Sequence, residues 1–205
     1  MRLKGCGRED ESVRVVFTRG EALPMEARTS SSTFFRSTNT YTGLRDVLRD
    51  LPKAADAAMI ADILAECATP GDTLVVGVTG SVAAGKTTLC SAIASQLRST
   101  MRVEIASTDG FLLPNATLAE RGLMMRKGYP ETYDDSMLAG ALQRVRWGAV
   151  CIPGYSHTTY DRAPELDRTI NRPDILLVEG LGLSPSGKPR AASALLDLLI
   201  YVDAS

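Results

Sequence analysis

The segment from Gly80 to Thr87 constrains the fold of this chain more than any other part of the sequence. It reads GSVAAGKT, which matches the pattern G-x-x-x-x-G-K-[ST] of a phosphate-binding loop. The apolar run before it, Thr73 to Thr79, is typical of a buried strand, and a helix is predicted from about Lys86 to Arg98. Since the motif requires a strand, a loop and a helix in this order, we predict an α/β protein that binds nucleotide phosphates.

The residue types in this loop indicate how it would hold phosphates. Glycines permit backbone angles that are closed to other residues, so successive N–H groups can point at phosphate oxygens, and the N-terminus of the following helix adds favourable partial charge. Lys86 is predicted to bridge the β- and γ-phosphates, and the Thr87 hydroxyl is predicted to bind Mg²⁺. The predicted nucleotide contacts are Gly80, Ser81, Val82, Ala83, Ala84, Gly85, Lys86, Thr87 and Thr88.

The chain after the loop alternates between strand and helix patterns. Strands are predicted at Arg102 to Thr108, Asp174 to Glu179 and Leu198 to Val202, and helices near Ser136 to Arg146 and near Ala191. Strands that alternate with helices are joined by right-handed crossovers and form a mainly parallel sheet. We therefore predict a three-layer α/β fold of the P-loop NTPase type, in which helices flank a mainly parallel sheet.

The chain divides into a tail, a helical segment and a P-loop domain. We expect residues 1–42 to be a disordered tail, because the run from Arg28 to Thr42 has no apolar periodicity. Residues 43–72 are predicted to be helical, with apolar residues at three- and four-residue steps from Gly43 to Cys67 and a break at Pro52. Residues 73–205 are predicted to form the P-loop domain.

The overall composition excludes some classes of function. The 205 residues include 23 basic and 24 acidic side chains, so the net charge of −1 gives no general attraction to nucleic acids or anionic membranes. The 4 cysteines are far apart and form no C-x-x-C pair, which predicts neither a disulfide framework nor a zinc site. No stretch reaches the ~18 apolar residues of a membrane span. We interpret the protein as cytoplasmic.

Two acidic residues follow predicted strands, at the edge of the sheet where ligands bind in parallel α/β folds. A carboxylate at Asp109 could orient a hydroxyl group and accept its proton as the bond to phosphorus forms. The sequence Asp109-Gly110 is also a common turn, so a capping role is an open alternative. Glu179 ends an apolar run, where P-loop enzymes place an acidic Mg²⁺ ligand; a structural ion pair is its alternative.

The remaining polar candidates are less specific. His157 is the only histidine of the chain, so it cannot belong to a histidine metal cluster. Its polar surroundings are compatible with a surface loop and with a site. Arg121, Arg126 and Lys127 form a basic patch that could bind phosphates or be solvated.

Six ordered blocks give the chain a resemblance to the bacterial type I pantothenate kinases, which belong to the P-loop group that also holds uridine kinases and phosphoribulokinases. The resemblance runs from about Leu74 to Asp203. The third block and the Y-S-H triplet separate this family from the uridine kinases. The blocks are GSVAAGKTT, STDGFLLPN, ERGLMMRKGYPETYD, YSHTTYD, RPDILLVEGL and IYVDA.

The resemblance implies that ATP, with Mg²⁺, phosphorylates the primary hydroxyl of pantothenate to 4'-phosphopantothenate, the first step of coenzyme A synthesis. By this analogy Asp109 is the catalytic base. Lys86 binds phosphate and acts in catalysis, and Thr87 and Glu179 bind the metal ion. The family also implies a homodimer.

The resemblance further implies roles in substrate binding outside the loop. Tyr155, His157 and Tyr160 match positions near the pocket for pantothenate and coenzyme A. Lys127 matches a basic position associated with coenzyme A, the feedback inhibitor of the family. Where the family commonly has an arginine involved in inhibitor binding, this chain has Ser91.

The chain stops at Ser205, where the family continues into a helical region, so we expect a truncated or degenerate member. Two further hypotheses stay open. One is a kinase for another polyol or nucleoside, and the other is a non-catalytic protein that binds nucleotide.

Overall fold

The N-terminal part of the chain contributes strands and one helix. A computed structural model describes residues 11–19, 36–37, 45–50, 57–183 and 192–204. The first elements in chain order are β1 (Glu11–Arg19), β2 (Arg36–Ser37), β3 (Arg45–Asp50) and α1 (Ala57–Cys67).

The phosphate-binding motif lies in the middle of the chain and is followed by smaller elements. The motif joins β4 (Leu74–Gly80) to α2 (Lys86–Leu97), and β5 (Val103–Ser107), α3 (Asn115–Glu120) and α4 (Asp135–Arg144) come next. The remaining strands are β6 (Ala149–Ile152), β7 (Tyr155–Ser156), β8 (Asp161–Arg162), β9 (Arg168–Asn171), β10 (Ile175–Glu179) and β11 (Leu198–Ala204).

The main sheet has a parallel half and an antiparallel half. Its strand order is β2-β3-β1-β11-β4-β10-β5. The strands β11, β4, β10 and β5 are parallel to one another, whereas β1 pairs antiparallel with both β11 and β3. β6 pairs with β9, and β7 with β8, in separate two-stranded sheets.

Helices cover the two faces of the parallel half with separate apolar cores. On one face, α1 and α2 contribute Ile60, Leu64 and Ile93. On the other face, α4 contributes Leu138 and Leu142. The central strand β10 is buried along Ile175 to Val178, as expected for a parallel strand covered on both faces. The prediction of a three-layer α/β fold with helices around a mainly parallel sheet is confirmed.

Two predictions for the N-terminal part are wrong where the structure describes it. Residues Glu11–Arg19 form β1 and not a disordered tail. Arg45–Asp50 form β3 in place of the first half of the predicted helix, which begins only at Ala57. The physical reason is pairing: β1 lies between β11 and β3, so its backbone groups find partners at both edges.

Some predictions fall outside the described residues. This holds for residues 1–42 apart from β1 and β2, for residues 51–56 and for most of the helix predicted near Ala191, after which Ser193–Leu195 form a single 3₁₀ turn. The division into three parts stays a prediction. In the described part of the chain, no helix has both the length and the apolar character that a membrane span requires.

Candidate active site

The strand order places the phosphate-binding motif at the point where the chain changes direction across the sheet. From β4 the chain passes through α2 to β5, beyond β10, while β11 lies on the other side of β4. In open parallel sheets, ligands bind outside the carboxyl ends of the strands at such a switch point. The loop that follows β4 occupies this position.

Residues 80–87, called the phosphate loop below, include backbone angles that few amino acids adopt easily. Ala83 has φ 63° and Gly85 has φ 80°, both in the left-handed region. Gly85 is the residue before α2, where a side chain would strain the backbone. Ala83 bears such strain, which is frequent at ligand-binding loops. The shape of the loop is therefore set by its own backbone angles.

The Lys86 side chain folds back onto the phosphate loop. Its Nζ donates hydrogen bonds to the carbonyl oxygens of Gly80 and Ser81, at 3.2 and 2.6 Å. Thr87 and Thr88 are exposed at the first turn of α2. The lysine charge and the helix N-terminus thus face the same side of the loop, which favours anionic groups.

Asp109 lies on a single 3₁₀ turn, Thr108–Phe111, directly after β5. The Oγ of Ser107 accepts a hydrogen bond from the Asp109 backbone N–H at 3.2 Å. A Cβ on Gly110 would lie 1.9 Å from the carbonyl oxygen of Pro153, so only glycine permits this close approach. These contacts fix the position of the Asp109 carboxylate at the carboxyl end of β5.

Burial and neighbouring charges act in opposite directions on the pKa of Asp109. Burial raises the pKa of this carboxyl above its ordinary value, and the positive charges of His157, Lys86 and Lys127 act in the opposite direction. The charge of a phosphate-loop lysine and the charges of His157 and Lys127 therefore all act on one carboxylate. A carboxylate whose pKa is raised by burial is suited to accept a proton from a neutral hydroxyl.

Glu179 ends β10 between the two strands that lead to the site. It is in register with Val78 of β4 and Ser107 of β5. Its charge also acts on the buried thiol of Cys90 in α2: the pKa of Cys90 is raised to about 12, by burial first and by the charge of Glu179 second, while the charge of Lys86 lowers it.

The donor set fits Mg²⁺. Within the described residues there is no group of three or more His, Cys, Asp and Glu side chains that could hold a metal ion. Mg²⁺ commonly keeps several waters and uses one or two carboxylates together with substrate phosphates. The Glu179 carboxylate and the exposed Thr87 hydroxyl would supply such a partial set of oxygen ligands.

Residues 155–162 form a short hairpin, called the 155–162 hairpin below, opposite the phosphate loop. β7 and β8 pair through Tyr155 and Arg162. The rings of Tyr155 and His157 meet edge to face, with centroids 5.2 Å apart. Burial raises the pKa of the Tyr155 hydroxyl, and so do the charges of Asp109, Asp161 and Tyr160. Tyr155 and His157 line the same cavity as Gly110, the neighbour of Asp109, whereas Tyr160 is exposed.

Lys127 joins the hairpin to the segment after Asp109. Its Nζ donates to the Oδ1 of Asn115 at 2.5 Å and to the carbonyl oxygen of Tyr160. It also lies 5.3 Å from the centroid of the Tyr155 ring. By contrast, Arg126 is occupied elsewhere, since it pairs with Glu131.

A cavity of about 250 Å³ lies next to the turn that carries Asp109, since Ser107 and Gly110 line it. It lies along β5, which is an edge strand of the main sheet. Polar groups from the end of β5, from β10 and from the hairpin line it together with apolar residues and Arg168. The lining includes Ser107, Gly110, Ile152, Tyr155, His157, Leu166, Arg168 and Glu179.

The structure brings together most of the residues that the sequence predicted for a site. Lys86, Asp109, His157 and Lys127 interact electrostatically at one place. Sequence reasoning missed Asn115, which bonds both Lys127 and the hairpin. Its position as the last residue of the block STDGFLLPN was the available signal. Nothing in the local pattern indicated a contact with residues more than forty positions away.

The fold and the phosphate loop define a P-loop protein of the kinase class. Residues 75–205 match the profile of the phosphoribulokinase / uridine kinase family, and the chain belongs to this family.

Curated relatives carry a narrower name. A pantothenate kinase of Corynebacterium glutamicum (strain R) is 46% identical over 135 residues, which are 63% of this chain and 42% of that protein. A pantothenate kinase of Leifsonia xyli subsp. xyli is 41% identical and is matched by 95% of this chain and 61% of its own length. The chain thus spans 42% to 61% of the length of these relatives.

Solved structures share the fold at low identity. A protein from Silicibacter sp. TM1040, proposed to be a fructose transport system kinase, has a TM-score of 0.63 at 24% identity over 70% of this chain and 72% of its own. A protein from Bacillus stearothermophilus, proposed to be a uridine kinase, has a TM-score of 0.54 at 20% identity, with 69% and 76% covered. These likenesses show the fold alone.

Proposed function

We propose that this chain phosphorylates the primary hydroxyl of pantothenate with ATP, to give 4'-phosphopantothenate, the first step of coenzyme A synthesis. The observation that carries the proposal is the placement of Asp109 directly after β5, next to Gly110 in a cavity that Tyr155, His157 and Glu179 also line. The name shared by relatives at 41% to 46% identity supports the choice of substrate.

The reaction would need a positioned hydroxyl, a base and a phosphate donor. Asp109 would accept the hydroxyl proton as the oxygen forms a bond to the γ-phosphorus and the bond from that phosphorus to the bridging oxygen of ADP breaks. The products are ADP, the phosphate ester and a proton held on Asp109. Because burial raises the pKa of Asp109, its carboxylate is a stronger base than an exposed aspartate.

The phosphate loop would hold the donor. Its backbone N–H groups and Lys86 would bind the β- and γ-phosphates, and the positive end of α2 would favour their charge. Thr87 and Glu179 would hold Mg²⁺, which supplies charge neutralisation of the phosphate oxygens when it is bound. The predicted loop contacts from Gly80 to Thr88 are part of this proposal.

The acceptor would lie in the cavity beside Asp109. Tyr155 and His157 line it and would bind polar groups of pantothenate. Lys127, whose Nζ lies 5.3 Å from the centroid of the Tyr155 ring, would also bind the substrate. Tyr160, which is exposed, would contact it from the same hairpin.

The test is a coupled assay of ADP release with pantothenate, uridine and glycerate as separate acceptors. We expect release with pantothenate and a loss of about 10² to 10⁴-fold in Asp109→Asn, the range that general bases supply. Activity that survives Asp109→Asn would contradict the mechanism. Release with uridine or glycerate in preference to pantothenate would favour a kinase for another hydroxylated substrate, and nucleotide binding without release would favour a non-catalytic protein.

Further properties of pantothenate kinases are also part of the proposal. They are a homodimer, a cytoplasmic location and inhibition by coenzyme A. Ser91, in α2, lacks the charge that would bind an anionic inhibitor. We therefore expect weak inhibition by coenzyme A, measured in the same assay.

A further inference from the structure

Asn115 stands at a junction between two segments that flank the candidate site. Its side-chain Nδ2 donates to the carbonyl oxygen of Tyr160 at 3.2 Å, and its Oδ1 accepts from Lys127 Nζ at 2.5 Å. Its backbone N–H donates to the Oδ1 of Asp161 at 3.0 Å. One residue thus bonds two consecutive residues of the 155–162 hairpin and the lysine that acts on Asp109.

The carbonyl that receives these bonds belongs to a strained residue. Tyr160 has φ 52°, a left-handed conformation that costs a residue with a bulky side chain free energy. Lys127 Nζ donates to the same carbonyl oxygen as Asn115. Because strained backbone persists only where its surroundings hold it, these two donors hold the turn in this form.

His157 lies in this turn, which joins β7 to β8. The Oγ of Ser156 accepts bonds from the N–H groups of Thr158 and Thr159, at 3.3 and 3.2 Å, which braces the turn from within. Asn115 and Lys127 brace it from outside, at the residue before β8. The imidazole can therefore keep its place beside Tyr155 although its own surface is exposed.

We infer that Asn115 is a positioning residue, which acts through the Tyr160 carbonyl and Lys127 to hold the 155–162 hairpin and so keeps His157 in the cavity next to the turn that carries Asp109. The amide is suited to this role because it donates and accepts at once. A carboxylate could accept from Lys127 but could not donate to Tyr160, and an alanine could do neither. The inference rests on the proposed function only for its kinetic arm.

The first arm is spectroscopic and needs no activity. His157 is the only histidine of the chain, so untagged protein labelled with ¹⁵N-histidine gives the ring signals of this residue alone. Asp109→Asn is expected to displace those signals, since the two side chains interact. In an Asn115→Ala background the displacement is expected to fall to less than half, because the turn no longer holds the ring in place.

Matched variants separate positioning from general damage. Asn171→Ala removes an exposed amide from β9 and is expected to leave the displacement unchanged. Asn115→Asp keeps the acceptor for Lys127 and is expected to be intermediate. If Asn115→Ala does not fold, Lys127→Met removes the other donor to the Tyr160 carbonyl and is expected to show the same loss.

The second arm is kinetic. In Asn115→Ala we expect the KM for the acceptor to rise about tenfold, within the range that small displacements of reacting groups produce. The KM for ATP should stay unchanged, because the side chain of Asn115 bonds Lys127 and the hairpin. An equal displacement of the His157 signals in parent and Asn115→Ala backgrounds would overturn the inference, as would an equal rise in both KM values. Absence of activity in the parent would refute the proposed function and leave the spectroscopic arm valid.

Discussion

The phosphate loop is made by one continuous segment. The opposite side of the candidate site, which includes Asn115, Lys127 and the 155–162 hairpin, is assembled from segments that are far apart in the chain. The loop owes its shape to backbone angles such as φ 80° at Gly85 and to Lys86 bonded to its own loop. The opposite side depends on side chains: Asn115 reaches residues 45 and 46 positions away.

This difference indicates how each side responds to change. A loop formed by local backbone geometry keeps its shape when one exposed side chain is replaced. A substitution there therefore removes a functional group and leaves the loop backbone unchanged. A side held by bonds between distant segments loses geometry when one of its bonds is lost. We expect substitutions on the loop side to change kcat and those on the opposite side to change the KM for the acceptor.

Among the variants that compare the two sides, Lys86→Met is expected to produce the largest effect. It removes the cation that would stabilise the transferred phosphoryl group, so kcat should fall about a thousandfold, while the melting temperature should change little because the side chain bonds only loop carbonyls. Arg98→Met, which removes an exposed cation at the other end of α2, serves as the matched control. Loss of folding in Lys86→Met, seen by circular dichroism, would show that the two sides do not differ in this way.

The next effect concerns thiol reactivity behind the phosphate loop. Cys90 is buried and its pKa is about 12, whereas Cys151 is exposed. Since the thiolate is the reactive form, alkylation of Cys90 by iodoacetamide should be slower than that of Cys151 by at least about a hundredfold. Peptide mass spectrometry over time measures both rates. Comparable rates would mean that the loop side opens far more readily than its packing indicates.

Gly110→Ala should affect the opposite side. The added Cβ would lie 1.9 Å from the Pro153 carbonyl oxygen, so the chain beside the cavity must move, and we expect a loss of about 1–3 kcal/mol in the free energy of unfolding. The KM for the acceptor should rise about tenfold. In Gly148→Ala, where nothing lies within 4 Å of the added Cβ, neither quantity should change. A changed kcat with an unchanged KM would contradict the division between the sides.

The smallest effect is a displaced pH profile. Burial raises the pKa of Asp109. As the pH falls, activity should therefore be lost at a higher pH than the one at which an ordinary aspartate is protonated. The positive charge of Lys127 lowers this pKa, so Lys127→Met should move the acid limb of kcat/KM to higher pH. Arg126→Met, whose parent residue pairs with Glu131, should leave it in place. An unmoved limb in Lys127→Met would separate Lys127 from Asp109.

The parallel half of the fold was predictable because its signals are local. The strand, loop and helix around Gly80 to Thr87 follow from an apolar run, a fixed motif and a helical pattern, and β4 and α2 begin within a residue of their predicted positions. Asp109 and Glu179 could be placed at the same edge because both follow strands of one parallel sheet.

The antiparallel half was predicted wrongly for a physical reason. In Arg45–Asp50 the adjacent apolar pair Val47 and Leu48 fits a helical and a strand pattern alike, and its state is decided by pairing with β1. β1 itself alternates Val13, Val15 and Phe17, a strand pattern that the surrounding polar sequence obscured. Contacts of Asn115 with the 155–162 hairpin could not be predicted, since no periodicity encodes side-chain bonds between distant segments.

The pairing of β1 with β11 has a consequence for synthesis on the ribosome. Val13 is paired with Val202, so the first strand must remain without this partner while the intervening chain is made. At about 5–20 residues per second this wait is roughly 10 to 40 s. β4, α2 and β5 emerge in the meantime and can already pack locally. β1 therefore joins the sheet late, and its unpaired edge is open to other chains until β11 is made.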